Sequence, residues 1–144
     1  IILSAEATVA EALAMIRRGD LAPALGAAVC VTLPPHEAPT GRFLGMVHFQ
    51  RMLRYPPHER LGTLLDHDLE PVSSHTPAAE VTRILASYNL VSVPVVDENH
   101  RLLGVVTIDD VLDYLLPDDW RNHPEDRELT SGRPMGRSSA GRRR

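Results

Sequence analysis

Lysine is absent from this chain of 144 residues: all 15 of its basic Lys/Arg positions are arginine. Together with the abundance of alanine, proline, glycine and leucine, this reads as a base-composition bias and says nothing about mechanism. Cysteine occurs once, at Cys30 among apolar residues, so no internal disulfide is possible and a reducing, cytoplasmic setting is expected. No run approaches the roughly 18 apolar residues of a membrane-spanning helix. The longest uncharged stretch, LAPALGAAVCVTLPP, is broken by three prolines, so direct membrane insertion is not expected. The chain opens on Ile1 rather than methionine, without the charged and apolar regions of a signal peptide, and a piece of a longer protein is expected. Catalytic signatures are missing as well: there is no G-x-S-x-G and no Walker loop. The seven histidines show no His-x-x-x-His, and no second cysteine is there to complete a zinc set.

Charge is unevenly spread. The formal net charge is −4, but from Thr130 onward there are five arginines and no acid, whereas residues 1–129 hold ten arginines against nineteen acids, a charge near −9. An acidic body argues against duplex DNA as a partner, because neutralising phosphates requires a basic face. The terminal SAGRRR reads as a solvated end. Beyond Trp120 the chain turns polar, then rich in Gly, Ser and Arg, and disorder is expected there.

What the chain does contain is an internal repeat. GRFLGMVHFQRML (41–53) aligns without gaps on HRLLGVVTIDDVL (100–112), and ATVAEAL (7–13) aligns on TPAAEVT (76–82) through a shared Ala-Glu. The first copy holds ten extra residues, placed in the loop from Leu33 to Arg42. In the second copy Thr76 is an N-cap candidate with Pro77 in the first turn, and Val81, Ile84, Leu85 and Tyr88 have helical spacing. VSVPVV and RLLGVV read as strands joined by a DENH turn, and Ile108, Val111, Leu112 and Leu115 form the stripe of a second helix ended by Pro117. The first copy repeats this plan: Val9, Ala12, Leu13 and Ile16 on a helix, AAVCVTL and RFLGMV as strands, and a shorter helix with Phe49, Met52 and Leu53. A short strand precedes each copy, IIL and EPVS. One unit has too little core to stand comfortably alone, so the two are expected to pack sheet to sheet.

This arrangement resembles a tandem pair of CBS domains, also called a Bateman module, over residues 3 to 116. The second copy matches through YNLVSVPVVDENHRLLGVVTIDDVLDYLL, which couples Pro-Val-Val-Asp to a Gly-h-h-Thr-x-x-Asp junction. HFQRMLRYPP, DLEP and LLPDDWR are more particularly similar to the pairs attached to magnesium transporters of the MgtE family and their soluble relatives. The resemblance implies an α/β fold of two CBS repeats, β-α-β-β-α each, packed with pseudo-twofold symmetry. Repeat 1 spans 1–58, a linker 59–70, repeat 2 71–118, and a basic tail 119–144. It further implies a homodimer, a flanking MgtE-N-like domain or transporter in the full-length chain, and binding of adenine nucleotides (AMP, ADP or ATP) or Mg2+, with occupancy transmitted to the attached partner.

The stretch GVVTIDDVL (104–112) carries the chemistry. One reading is a helix start, with Thr107 as N-cap and Asp110 near the positive end of the helix dipole. Another uses the same geometry to bind a nucleotide, since amides at a helix N-terminus attract phosphate. By resemblance, Thr107 contacts phosphate, Asp110 the ribose, and Val91, Ser92, Val93 and Pro94 wall the adenine. At the matching positions the first copy has His48 and Arg51, so a second site of that kind is lost. Arg51 is left either to reach a polyphosphate or to form a salt bridge. A third reading is a Mg2+ site built from oxygen ligands: Asp66 and Asp68, beside His67 and Glu70, or Asp109 and Asp113, beside Asp110, Asp118 and Asp119. Asp109 and Asp110 are neighbours on a helix and point about 100° apart, poor geometry for acid/base work. The expectation is therefore a non-catalytic regulatory module. Its alternative is a ligand-free dimerisation scaffold with decayed sites.

Overall fold

The computed structural model describes residues 1–18 and 20–116. Pro117 and the whole of the 119–144 tail, with Asp118 and Asp119, lie outside the described residues. The described chain runs β1 (Ile2–Leu3), α1 (Val9–Ile16), β2 (Ala28–Thr32), β3 (Phe43–His48), α2 (Phe49–Met52), a 3-10 turn (Leu61–Thr63), β4 (Val72–Ser73), α3 (Ala78–Ser87), β5 (Ser92–Val96), β6 (Leu102–Thr107) and α4 (Ile108–Leu115). Residues 1–111 form one compact unit that holds both sheets; a second unit starts at Leu112, inside α4.

The repeat seen in the sequence is a repeat in space. Two three-stranded sheets have the orders β1-β2-β3 and β4-β5-β6, each with its short strand parallel and its hairpin antiparallel. The hairpin registers match residue for residue. Ala28 pairs with His48 as Ser92 pairs with Thr107, Cys30 with Met46 as Pro94 with Val105, and Val31 with Gly45 as Val95 with Gly104. Both ladders slip at the same place, between Val31 and Thr32 and between Val95 and Val96. Two copies of one β-α-β-β-α unit, related by a pseudo-twofold, account for this agreement.

Strand alternation then builds three cores. Val29, Val31 and Val47 face α1 and α2, joining Val9, Ala12 and Met52. Val93 faces α3 and α4, joining Val81, Leu85 and Val111. Between the sheets lie Ala28, Cys30, Phe43 and Met46 of the first repeat with Val96 and Leu102 of the second, the expected sheet-to-sheet closure. The inserted loop has a part in it. Buried Thr40 gives its N–H to Leu102 O at 3.2 Å, and its Oγ1 accepts the Leu102 N–H at 3.0 Å. Beside it Phe43 N–H donates to His100 O, and Arg42 bridges Arg101 in antiparallel fashion.

Several local expectations are corrected. Thr76 is not the N-cap of α3: Pro77 holds that position without a side-chain cap bond, because the Thr76 hydroxyl is turned back to accept the Ser73 N–H at 3.0 Å. Tyr88 is 59% exposed rather than buried, since α3 ends at Ser87 and Asn89, at φ 57°, turns the chain out of the helical register. On α4 only Val111 is buried; Ile108 is 39% and Leu115 54% exposed. The stretch from 59 to 70 is more than a linker, because Leu61 and Leu64 are fully buried in the core of the first repeat.

Candidate functional site

Strand β6 delivers Thr107 to the start of α4, where a helix leaves backbone N–H groups without intrahelical partners. Thr107 Oγ1 accepts the Asp110 N–H at 3.2 Å, and Asp110 Oδ2 accepts the Thr107 N–H at 3.0 Å. This is a reciprocal capping box. The Ile108 N–H is taken by Val91 O at 2.8 Å, as Phe49 N–H is taken by Ala27 O in the other repeat. Strand start and helix start are therefore pinned together in both copies. Thr107 is buried and Asp110 exposed; one carboxylate oxygen closes the cap while Oδ1 lies outside it. The helix-start reading is thus realised in full, and it leaves a carboxylate at the surface in a fixed orientation.

Of the four residues expected to wall an adenine, only Val91 is exposed, at 41%. Val93 is fully buried under α3 and α4, and Ser92 and Pro94 are buried as well. Strand alternation explains this: Val93 faces α3 and α4 while Ser92 and Pro94 turn to the other face of the sheet, and Val91 precedes β5. The accessible surface beside the cap consists of Val91, Ile108, Asp109 and Asp110.

The matching position in repeat 1 is built differently. His48 precedes α2 as its N-cap without a side-chain cap bond, and its Nε2 lies 3.1 Å from Asp66 Oδ2. Arg51 Nε donates to Leu64 O at 2.9 Å, and its guanidinium sits 5.7 Å from the centroid of the Tyr55 ring. Its described partner is thus a backbone carbonyl rather than an acid, and the bond holds the segment that contains Leu64 in place.

The acidic residues offered for Mg2+ are dispersed. Asp66 is occupied by His48 on one oxygen and by the Asp68 N–H, at 3.0 Å, on the other. Asp68 is exposed on the same turn, and Asp109 and Asp113 lie on α4. Among the described residues no three His, Cys, Asp or Glu side chains come together as a metal-binding group. Cys30 is buried in the sheet interface, where burial pushes its thiol up to about 11. A thiol so held is a packing residue and not a nucleophile. Sequence reasoning missed the His48–Asp66 pair; the sign for it was an acid on the polar turn after the helix that replaced the Thr-x-x-Asp junction.

Comparison with known proteins fits this geometry. Residues 61–117 match the CBS domain family, a match that begins at the 3-10 turn and not at β4. Over 75 residues, 52% of this chain and 17% of the relative, the sequence is 37% identical to the magnesium transporter MgtE of Thermus thermophilus. The chain therefore spans a small part of that relative's length. Among solved structures, the cytosolic domain of the Mg2+ channel MgtE in complex with ATP is similar at a TM-score of 0.67 and 31% identity, over 80% of this chain and 44% of that one. The cystathionine beta-synthase pair domain of a putative Mg2+ transporter from Shewanella oneidensis is similar at a TM-score of 0.66 and 27% identity, over 77% of this chain and 61% of that one. No helix among the described residues is long and apolar enough to cross a membrane.

Proposed function

Residues 61–117 being a CBS domain and the fold that of a CBS-domain pair, we propose that the chain is a non-catalytic regulatory module of a MgtE-like magnesium transport-related protein, working as a homodimer on the cytoplasmic side. Its ligand is an adenine nucleotide held at the start of α4. The observation that carries this reading is the Thr107–Asp110 capping box, whose Asp110 is exposed while its Oδ2 closes the cap. It fixes a carboxylate beside exposed Val91, where it is available to ribose hydroxyls, at a helix end whose dipole favours phosphate. The ATP complex of the related MgtE domain supports the ligand class. Mg2+ enters through the phosphates of the nucleotide, since magnesium keeps much of its water and is commonly held by one or two carboxylates plus phosphate. Occupancy acts by differential binding: a ligand that prefers one arrangement of the protomers shifts the dimer towards it, by no more than the difference between its affinities for the two.

A second reading, a dimerisation scaffold without ligand, is favoured by the altered junction in repeat 1 and by the apolar exposure at the end of α4, where Tyr114 is 74% exposed and Leu115 is exposed beside it. Thermal-shift titration with AMP, ADP and ATP, each with and without Mg2+, separates the two. At a hundredfold excess over Kd one site adds about 2.7 kcal/mol. Thr107→Ala costs the fold about 1 kcal/mol through the lost cap, and together with Asp110→Ala it is expected to abolish the ligand shift while the protein still melts cooperatively as a dimer. An unchanged ligand shift in that double variant refutes the assignment of the site. No shift with any nucleotide in the parent chain leaves the scaffold.

A further inference from the structure

Besides their packed sheets, the two repeats meet along a short backbone ribbon. Arg42, just ahead of β3, and Arg101, just ahead of β6, hold equivalent positions in the two copies and form an isolated antiparallel bridge to each other. The adjoining bond, Phe43 N–H to His100 O at 2.8 Å, makes this a non-hydrogen-bonded pair, the kind whose side chains share a face and stand closest. That face is the outer one. Phe43 and Leu102, the next residue of each strand, are buried between the sheets, so alternation turns Arg42 and Arg101 to solvent, where both are exposed.

Like charges directly opposite each other destabilise a strand pair, and here they are only partly neutralised. Arg101 Nε donates to Asp97 Oδ2 at 2.9 Å, which leaves the terminal nitrogens of its guanidinium without a described partner. Asp97 has nothing left for Arg42, since its Oδ1 is taken by the N–H groups of Asn99 and Arg101. Among the described residues no acid pairs with the Arg42 guanidinium: Glu37 of the inserted loop and Glu98 of the turn are exposed and bonded to neither arginine. Two planar guanidinium forks side by side are a donor set for a tetrahedral oxyanion. We infer that Arg42 and Arg101 form a phosphate clamp at the pseudo-twofold between the repeats, taking inorganic phosphate or the phosphoryl group of a monoester. One arginine comes from each repeat, so the anion ties the two together beside the Thr40–Leu102 bonds. The clamp lies at the start of β6 and the Thr107–Asp110 box at its end, about 20 Å away along the strand, so it is separate from the proposed nucleotide seat.

The test follows melting of the full chain while phosphate replaces chloride at constant ionic strength, with glycerol phosphate as a second titrant. A saturating rise in Tm of about 2 °C or more is expected; a response to phosphate alone assigns the free ion, and a response to both assigns the phosphoryl group. Phosphate also stabilises proteins by exclusion from their surface, so Arg42→Gln decides. It is expected to lose the saturating rise and, with the like-charge contact gone, to melt no lower than the parent in chloride. Arg17→Gln, which removes one exposed charge elsewhere, is expected to keep the rise, as is the Thr107→Ala, Asp110→Ala double variant. No saturating rise in the parent overturns the proposal, and so does a rise that survives Arg42→Gln. A lower Tm of Arg42→Gln in chloride shows that Arg42 already has a partner, and a rise lost in the double variant puts the phosphate in the nucleotide seat; either overturns the clamp.

Discussion

Thr40 shows how much a single hydroxyl can hold. It comes from the ten-residue loop that the second repeat lacks, and it is buried against a backbone it is separated from by 62 positions. Its Oγ1 accepts the Leu102 N–H and donates to Gly41 O at 2.6 Å. Leu102 stands at the ladder slip in β6, where the regular pairing with β5 is interrupted, so its amide depends on a side chain for a partner. Thr40→Val keeps shape and volume but removes both bonds, leaving a buried N–H without an acceptor. The expected loss is about 1–3 kcal/mol, read from urea denaturation midpoints at an unchanged m-value. A variant within experimental error of the parent would show that water replaces the hydroxyl and that the loop does not tie the repeats together.

At the scale of the element, the β5–β6 hairpin turns on Asp97. Its Oδ1 accepts the N–H groups of Asn99 and Arg101, each at 2.9 Å, its Oδ2 takes Arg101 Nε at 2.9 Å, and His100 completes the turn at φ 62°. The Arg101 backbone N–H, then that of Asn99 and the Arg101 guanidinium, hold the Asp97 carboxyl below the usual carboxylate range. A carboxyl whose folded pKa is lowered contributes stability above its unfolded pKa, about 3.9, and that contribution is lost as pH falls through the folded value. Asp97→Asn keeps an acceptor for the turn but not the charge. Its melting temperature is expected to fall less steeply than the parent's below about pH 4, and parallel acid limbs would show that the turn charge contributes nothing. The turn was legible in DENH, and the strands and the Thr107–Asp110 cap in GVVTIDDVL, because period-2 alternation and capping chemistry are local. Tyr88, Ile108 and Leu115 were misplaced because helical spacing says which residues share a stripe but not where the helix ends or whether anything covers the stripe. Leu61 and Leu64 read as linker in the sequence because a core borrowed from the preceding repeat leaves no periodic signal of its own. Arg51 answers to Leu64 O, a backbone partner that no side-chain pattern reports.

For the whole molecule, the question is whether the proposed ligand and the proposed dimer are coupled. The proposed nucleotide seat at Thr107 and Asp110 lies at the first turn of α4, and the exposed Tyr114 and Leu115 lie at the last turn of the same helix. If occupancy favours one dimer arrangement, linkage requires the reverse effect of equal size: dimerisation must change nucleotide affinity by the same factor by which nucleotide changes the dimerisation constant. Coupling of the usual size, about 5- to 150-fold, is then expected both in the nucleotide Kd measured far below and far above the dimer dissociation constant and in sedimentation with and without ligand. Tyr114→Asp with Leu115→Asp is expected to yield monomers that bind nucleotide with a single, concentration-independent Kd. If instead the parent chain binds nucleotide equally well at both concentrations, the site and the dimer are energetically separate. The module then reads its ligand by local ordering at the start of α4 rather than by rearrangement of protomers.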